Sequence, residues 1–217
     1  MEISLLSILT LGFILGIKHA IEPDHVIAVS TIASQSKKLL CSSLAGVYWG
    51  IGHTATLFIV GIILIIMKDE ISEKWALSLE FLVGMMLVYL GITTFNSLKK
   101  TRLHKHGHNY KNVSYTKSLF IGLVHGLAGS GAMVLLTMST VKSVWEGALY
   151  IIVFGLGTIV GMLIFTTVIG VPFVLSAKKQ SINKTFTQLT GIISTVFGVY
   201  YMYSLGISKG LFMLWLN

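Results

Sequence analysis

Six long apolar runs dominate the chain, and a short polar segment separates each run from the next. A helix rises about 1.5 Å per residue, so about 20 apolar residues cross a hydrocarbon core about 30 Å thick. All of these runs are long enough. A last apolar run, 211–216, is too short to span and is expected at the membrane surface. The pattern predicts an all-α integral membrane protein with six transmembrane helices, at residues 3–33, 42–67, 75–98, 118–141, 147–176 and 186–207.

The composition excludes a soluble protein. Hydrophobic residues make up 54% of the 217 residues and charged residues 11%, with a mean hydropathy of +0.82. Soluble domains carry about 25% charged residues, so this chain cannot cover a water-facing surface, and it is too apolar to be disordered. The 22 glycines suit close packing of helices in lipid. The single cysteine, Cys41, excludes an intrachain disulfide and a CxxC redox pair.

The cationic residues predict the orientation in the membrane. A net charge of +8 would suggest a nucleic-acid partner in a soluble protein, but here the Lys and Arg residues lie in loops, and no such partner is expected. Eleven fall in the first, third and fifth loops, and four fall on the opposite side. Because cytoplasmic loops carry the excess of Lys and Arg, we predict a cell-membrane protein with both termini outside the cytoplasm. The first run lacks a positive region before it and is taken as a retained span.

A faint internal repeat relates the two halves of the chain. Residues 16–20 (GIKHA) resemble 122–126 (GLVHG), and residues 50–54 (GIGHT) resemble 155–158 (GLGT). Each half holds three predicted spans. Because three is odd, the halves would have opposite orientations, as in inverted-repeat transporters. The predicted divisions are a first three-helix half at 1–98, a basic, His-rich cytoplasmic loop at 99–117 and a second three-helix half at 118–217.

Two histidines and two carboxylates crowd into the first span, in the motif HAIEPDH at 19–25. One acidic side chain at the membrane centre costs about 2.5–3.5 kcal/mol, so such a group indicates a functional site. Pro23 lacks a backbone donor and frees the carbonyl of His19. A helix break there would let His19, Asp24 and His25 converge, whereas an ideal helix turns them to different sides. The alternative is a polar loop at the membrane surface.

The donors in this motif fit a divalent transition metal. Neutral imidazole suits nickel, cobalt, copper and zinc, and carboxylates offset the charge of the metal. The two carboxylates, Glu22 and Asp24, match the charge of one divalent cation. The motif has no methionine or cysteine, which would favour copper(I).

Two further histidines lie inside predicted spans. His53 follows glycines in the sequence YWGIGHT, 48–54, and these glycines would let the second span approach the first closely. His125 lies in the fourth span, where only the repeat makes it a candidate ligand. For each, the alternative is a histidine that is hydrogen-bonded to a neighbouring helix.

Three polar features outside these motifs are weaker indications. Glu80 and Glu146 lie near the outer ends of spans, where surface snorkelling is the first interpretation and a weak cation funnel the second. The tract HKHGH at 104–108 indicates either loose metal binding or a solvated polar loop.

The chain carries no sequence motif for ATP use or for proteolysis. GxxxxGK[ST] is missing, so no phosphate-binding loop is predicted, and HExxH is missing, which argues against an intramembrane zinc protease. We therefore predict a transporter and not an enzyme, with a metal ion as its substrate and no cofactor. An intramembrane metalloenzyme is an alternative of another class, which no general-base motif supports.

The motif at 19–25 resembles the HX4DH signature of the nickel/cobalt transporter family, typically HAxDADH, with Glu22 replacing the first aspartate and Pro23 the alanine. Residues 46–54 resemble that family's second signature, a glycine-rich stretch with Leu-Gly-His-Ser. The later FDTATE signature is absent, because the corresponding region, 155–158, has no acid. The six-span length is most similar to the short urease-accessory UreH-type branch. The resemblance implies metal-binding roles for His19, Asp24, His25 and His53, and by position for Glu22.

These patterns together predict a membrane permease that imports nickel, or cobalt, without ATP. The membrane potential would draw the dication inward. An efflux protein driven by proton exchange is one alternative. Another is a non-transporting membrane partner that passes nickel to urease maturation proteins. The expected partners are the metal ion, the lipid bilayer and urease maturation proteins.

Overall fold

Every element that the structure describes is a helix. The structure is a computed structural model and describes residues 5–68, 71–100, 114–140 and 143–216. Within these ranges the all-α prediction is confirmed. The helices are α1 (Leu5–His19), α2 (Pro23–Ala33), α3 (Leu39–Met67), α4 (Glu73–Lys100), α5 (Tyr115–Thr140), α6 (Val144–Ser176), α7 (Gln180–Tyr203) and α8 (Leu211–Leu216), with a π-helical segment at Ser204–Ser208 after α7.

Several of these helices can cross a membrane. Four are long and apolar enough on their own, namely α3, α4 over Glu73–Ser97, α6, and α7 joined to the π-helical segment over Gln180–Ser208. The pair α1 and α2 passes the same test together, with a bend of 57°, which raises the number to five. The chain is therefore a multi-pass membrane protein. The predicted count of six also requires α5, which covers the predicted fourth span, and that count stays a prediction.

The bend between α1 and α2 lies within the polar motif of the first predicted span. Pro23 is the first residue of α2, where the missing N–H of proline removes no helical hydrogen bond. Glu22 is extended, with φ −61° and ψ 144°, the conformation that a following proline favours. The N–H of Glu22 donates to the carbonyl of His19 at 3.0 Å and closes the turn. The predicted helix break is therefore present.

Glycines allow the helix backbones to approach closely in two pairs of helices. A Cβ atom at Gly16 of α1 would collide with the carbonyl oxygen of Phe154 in α6. A Cβ atom at Gly122 of α5 would collide with the carbonyl oxygen of Trp49 in α3. Since small residues permit such contacts between membrane helices, the pairs α1–α6 and α3–α5 are each held at fixed depth. These contacts fix the levels of the histidines on α1, α3 and α5.

The short helix α2 lies inside the bundle. It contacts α3, α4, α6 and α7, and its side chains at Ala28, Val29 and Ala33 are buried. Large apolar side chains on the outer helices are instead exposed, such as Leu175 at 75% and Trp145 at 72%. An apolar exterior of this kind is expected of a protein solvated by lipid. In the first turn of α2, His25 is likewise buried in protein, whereas Asp24 is partly exposed.

Candidate metal centre

All six predicted ligands lie in the described part of the chain, and they come together from four helices. His19 ends α1, Glu22 lies in the break, and Asp24 and His25 lie in the first turn of α2. His53 lies at the middle of α3, and His125 lies on α5. The ring centroid of His25 lies 4.5 Å from that of His19, 5.3 Å from that of His53 and 4.9 Å from that of His125.

One side of this cluster is a pair of imidazoles. The Nε2 atoms of His19 and His53 are 3.1 Å apart. The other nitrogen of His19, Nδ1, lies 2.9 Å from Oε1 of Glu22. A carboxylate that accepts from one ring nitrogen orients the ring and leaves its second nitrogen as a ligand, as in many metal sites. Glu22 therefore orients His19 and lies behind it.

The other side of the cluster is built around Asp24. Oδ1 of this carboxylate lies 2.9 Å from Nδ1 of His25, and Oδ2 lies 3.6 Å from Nε2 of His125. The carboxylate thus lies between rings on α2 and α5. Its side chain is 19% exposed, whereas those of His25 and His125 are 3% and 1% exposed. A partly buried carboxylate beside imidazole rings provides negative charge for a dication.

Several ring nitrogens in the cluster have no hydrogen-bond partner. They are Nε2 of His25, Nδ1 of His53 and both nitrogens of His125. A buried polar atom left unsatisfied costs about 1–3 kcal/mol, and such atoms are rare without a functional reason. Four unpaired nitrogens on three neighbouring rings are therefore suited to an ion that binds between them.

Ligand distances within the cluster agree with metal binding. Two groups of three residues each place one donor atom per residue within 4.8 Å of one another, namely His19, His25 and His53, and Asp24, His25 and His125. Two nitrogens each about 2.1 Å from one ion are at most about 4.2 Å apart. Shifts of side chains by less than about 1 Å would therefore close either group around an ion.

Trp49 also lines the cluster, although the sequence motifs did not indicate a functional role for it. Its ring stacks on that of His53, with centroids 4.9 Å apart and planes at 10°. The same indole contacts His25 edge-on at 4.8 Å and His125 at 5.2 Å. Trp49 therefore forms an aromatic wall against three of the histidines. Trp49 lies one turn before His53 on α3, and residues four apart share a helix face. This spacing could have indicated that Trp49 lies beside the site.

Gly129 is a second contributor that sequence reasoning missed. A Cβ atom there would lie 3.8 Å from Cε1 of His53 and 3.9 Å from Nε2 of His19. The missing side chain leaves space directly beside the His19–His53 pair. Gly129 lies one turn after His125 on α5, and that spacing was the only clue in the sequence.

The weaker candidates lie elsewhere. Oε2 of Glu80 accepts from the hydroxyl of Tyr201 at 3.3 Å and lies 3.4 Å from Nζ of Lys209. Glu146 lies in the first turn of α6, where its N–H donates to Oγ of Ser143 at 3.2 Å. Neither acid belongs to the two groups of donor atoms described above. The tract at 104–108 lies outside the described residues.

Comparison with known proteins identifies relatives over most of the chain. Residues 58–200 match a family described as cytochrome C biogenesis protein transmembrane region. The chain is 63% identical to the urease accessory protein UreH of Bacillus sp. (strain TB-90), over the whole of this chain and 99% of that protein. No solved structure matches the chain.

Two more distant relatives come from an archaeon and a plant. The chain is 30% identical to a protein of Methanocaldococcus jannaschii provisionally named a nickel/cobalt efflux system, with 87% of this chain and 89% of that protein covered. It is 26% identical to the chloroplast protein FOR GROWTH AND FERTILITY 1 of Arabidopsis thaliana, of which it spans 55%. The chain therefore belongs to the family of the cytochrome C biogenesis protein transmembrane region and, over its full length, to the nickel/cobalt transporter family, in the UreH branch.

Proposed function

We propose that this protein is a permease that imports divalent nickel, or cobalt, across the cell membrane without ATP. The observation that carries the proposal is the convergence of four histidines and Asp24 inside a membrane bundle. Ionisable groups at this depth mark ion pathways. Nitrogen and carboxylate donors without a thiolate fit divalent nickel and cobalt better than copper(I). His19, Asp24, His25, His53 and His125 bind the ion directly, and Glu22 orients His19.

We infer that the two halves are inverted repeats. The contact of Gly16 with Phe154 is matched by that of Gly122 with Trp49. A Cβ atom at Gly52 would meet the carbonyl of Leu119, and one at Gly157 would meet that of Phe13. The matched positions are 13 with 119, 16 with 122, 49 with 154 and 52 with 157, an offset of 105 or 106 throughout.

This reciprocity supports a mechanism of alternating access. Under a two-fold relation, α1 against α6 is equivalent to α5 against α3. The site lies where α1, α2, α3 and α5 meet. Rocking of one half against the other around a fixed site would expose the ion first outside and then inside. A membrane potential that is negative inside favours inward movement of a dication by about 4.6 kcal/mol per 100 mV.

Uptake of radioactive nickel into proteoliposomes that contain only this protein tests the proposal. An imposed potential, negative inside, should drive accumulation in the wild type, and cobalt should compete. The His25→Ala variant should accumulate no more than empty vesicles. Ser194→Ala is the matched control, because Ser194 is also fully buried but donates to the carbonyl of Leu87 between α4 and α7, away from the cluster. Normal uptake by His25→Ala would overturn the proposed site.

Efflux is a second candidate, because the archaeal relative is named an efflux system. The same vesicles separate the two directions. Efflux coupled to protons would require a proton gradient and would deplete metal from cells that express the protein. A potential alone would then drive no accumulation.

A role as a membrane partner in urease nickel delivery is supported by the name of the UreH relative alone. Transport by vesicles without any other protein would argue against it. Nickel binding without transport, together with retention of urease maturation proteins by the purified chain, would favour it.

A further inference from the structure

His25 belongs to both groups of donor atoms, and it is the single residue that they share. We propose, on the basis of the proposed function, that the cation occupies two successive positions within the cluster and that His25 transfers it between them. The first position is formed by His19, His25 and His53. The second is formed by Asp24, His25 and His125.

The two nitrogens of His25 suit this shared role. Nδ1 lies 2.9 Å from Oδ1 of Asp24, on the side of the second position. Nε2 is buried and has no partner. The ring is packed between those of His19 and His125, with centroid distances of 4.5 Å and 4.9 Å. The two nitrogens of one ring are therefore available to the two groups while α2 stays in place.

Each position also includes one partly exposed ligand. In the first, the side chain of His19 is 17% exposed while His25 and His53 are buried. In the second, Asp24 is 19% exposed while His25 and His125 are buried. An ion that enters beside one of these residues can leave beside the other.

The chemistry of the two positions differs. The first offers three imidazoles, whereas the second replaces one imidazole with a carboxylate. A cation at the first position is held by neutral donors, and at the second it gains a direct anionic ligand. That difference in charge favours movement toward Asp24, and it also provides a spectroscopic distinction between the positions.

Binding and transport measured side by side test the two-position arrangement. Equilibrium dialysis of cobalt against purified protein in lipid nanodiscs gives the stoichiometry, and the visible absorption of bound cobalt reports its ligands. We expect one ion per chain in the wild type. His53→Gln and His125→Gln, which preserve side-chain volume, should each still bind one ion, with different absorption spectra. His25→Gln should bind none.

The variants His53→Gln and His125→Gln should lose nickel uptake into proteoliposomes although they still bind an ion. Both His53→Gln and His125→Gln should lose uptake by about tenfold or more, because an interaction with a charged group is worth at least this factor. Gly129→Ala is a further probe, since its methyl group would lie beside His19 and His53 only. It should change the spectrum of His125→Gln, which retains the first position, and leave that of His53→Gln unchanged.

Other results would overturn the inference while leaving the proposed function intact. If His125→Gln transports nickel normally, the second position has no role. If His53→Gln and His125→Gln both lose all binding, the cluster is one undivided site. Failure of the wild type to move nickel or cobalt, with the binding pattern as expected, would instead overturn the permease and retain both positions.

Discussion

The Nε2 atoms of His19 and His53 lie 3.1 Å apart, although 34 residues separate them along the chain. An ion about 2.1 Å from both atoms would see them at an angle of about 95°. That angle is close to the 90° between adjacent ligands in square-planar or tetragonal nickel complexes, and it is smaller than the angle of about 109° in tetrahedral zinc sites. The spacing of this pair is therefore closer to square-planar or tetragonal geometry than to tetrahedral geometry, in which the two atoms would lie about 3.4 Å apart.

A selectivity measurement follows from this spacing. We expect nickel to retain most of its binding in an equal excess of zinc, because the pair would have to spread to reach tetrahedral geometry. Competition dialysis on the purified wild type measures the ratio directly. Zinc that displaces nickel at equal concentration would contradict the argument from geometry.

Glycine contacts between α3 and α5 should control stability separately from binding. A methyl group at Gly122 would collide with the carbonyl of Trp49, so Gly122→Ala must push the two helices apart. Overpacking of this kind typically costs about 1–3 kcal/mol. Gly129→Ala is the matched control on the same helix, because its methyl group would make only contacts of 3.8 Å or longer. Thermal unfolding in detergent should show a lower midpoint for Gly122→Ala alone.

Equal midpoints for these two variants would mean that the α3–α5 contact tolerates a methyl group. The level of His53 beside α5 would then be set by other contacts. An unchanged midpoint for Gly129→Ala would also show that its effect on the cobalt spectrum comes from the first metal position and not from a loss of stability.

The sequence predicted the helices well because the length and apolarity of each run are local properties. The break at Pro23 was also predictable, since proline acts on its own backbone. The convergence of His19, Asp24 and His25 at the break was predicted as well. The pairing of His19 with His53, and of Asp24 with His125, was beyond prediction. Those contacts depend on how far α1, α3 and α5 slide along one another, and backbone contacts at glycines set that distance.

Trp49 should report and support metal binding. Its ring contacts three of the site histidines, so its replacement by phenylalanine removes part of the aromatic packing that positions them. Such ring pairs contribute about 0.5–1.5 kcal/mol each, and we expect Trp49→Phe to weaken nickel binding by about 2- to 10-fold.

Fluorescence of Trp49 can report metal binding beside its ring. Replacement of the other three tryptophans by phenylalanine leaves Trp49 as the single indole; these three are Trp75, Trp145 and Trp215, all exposed by 48% or more. Nickel or cobalt should quench that emission in a saturable manner, and added His25→Ala should abolish the quenching. Emission that metal leaves unchanged would place the ion away from Trp49.

Glu80 should have little role in transport. Its carboxylate is engaged by the hydroxyl of Tyr201 and by Lys209, and it lies outside the donor groups of the cluster. Ion pairs with an exposed partner contribute about 0–1 kcal/mol. We expect Glu80→Gln to change nickel uptake less than twofold, at low and at high ionic strength. A large loss that salt abolishes would instead support a cation funnel at this position.

Replacement of Asp24 should lower nickel uptake far more than replacement of Glu22, although both carboxylates contact histidines of the cluster. Asp24 faces both His25 and His125 and is 19% exposed, so its charge acts on the ion with little screening by water. Glu22 contacts His19 from behind and is 52% exposed, so its charge lies farther from the ion than that of Asp24. Asp24→Asn should lower nickel uptake by about tenfold or more, since the amide can still ligate but carries no charge. Glu22→Gln, which preserves an acceptor for His19, should reduce uptake only a few fold. The same proteoliposome assay measures both variants, and an equal loss in the two would show that total negative charge near the break, and not the placement of Asp24 between two rings, supports binding.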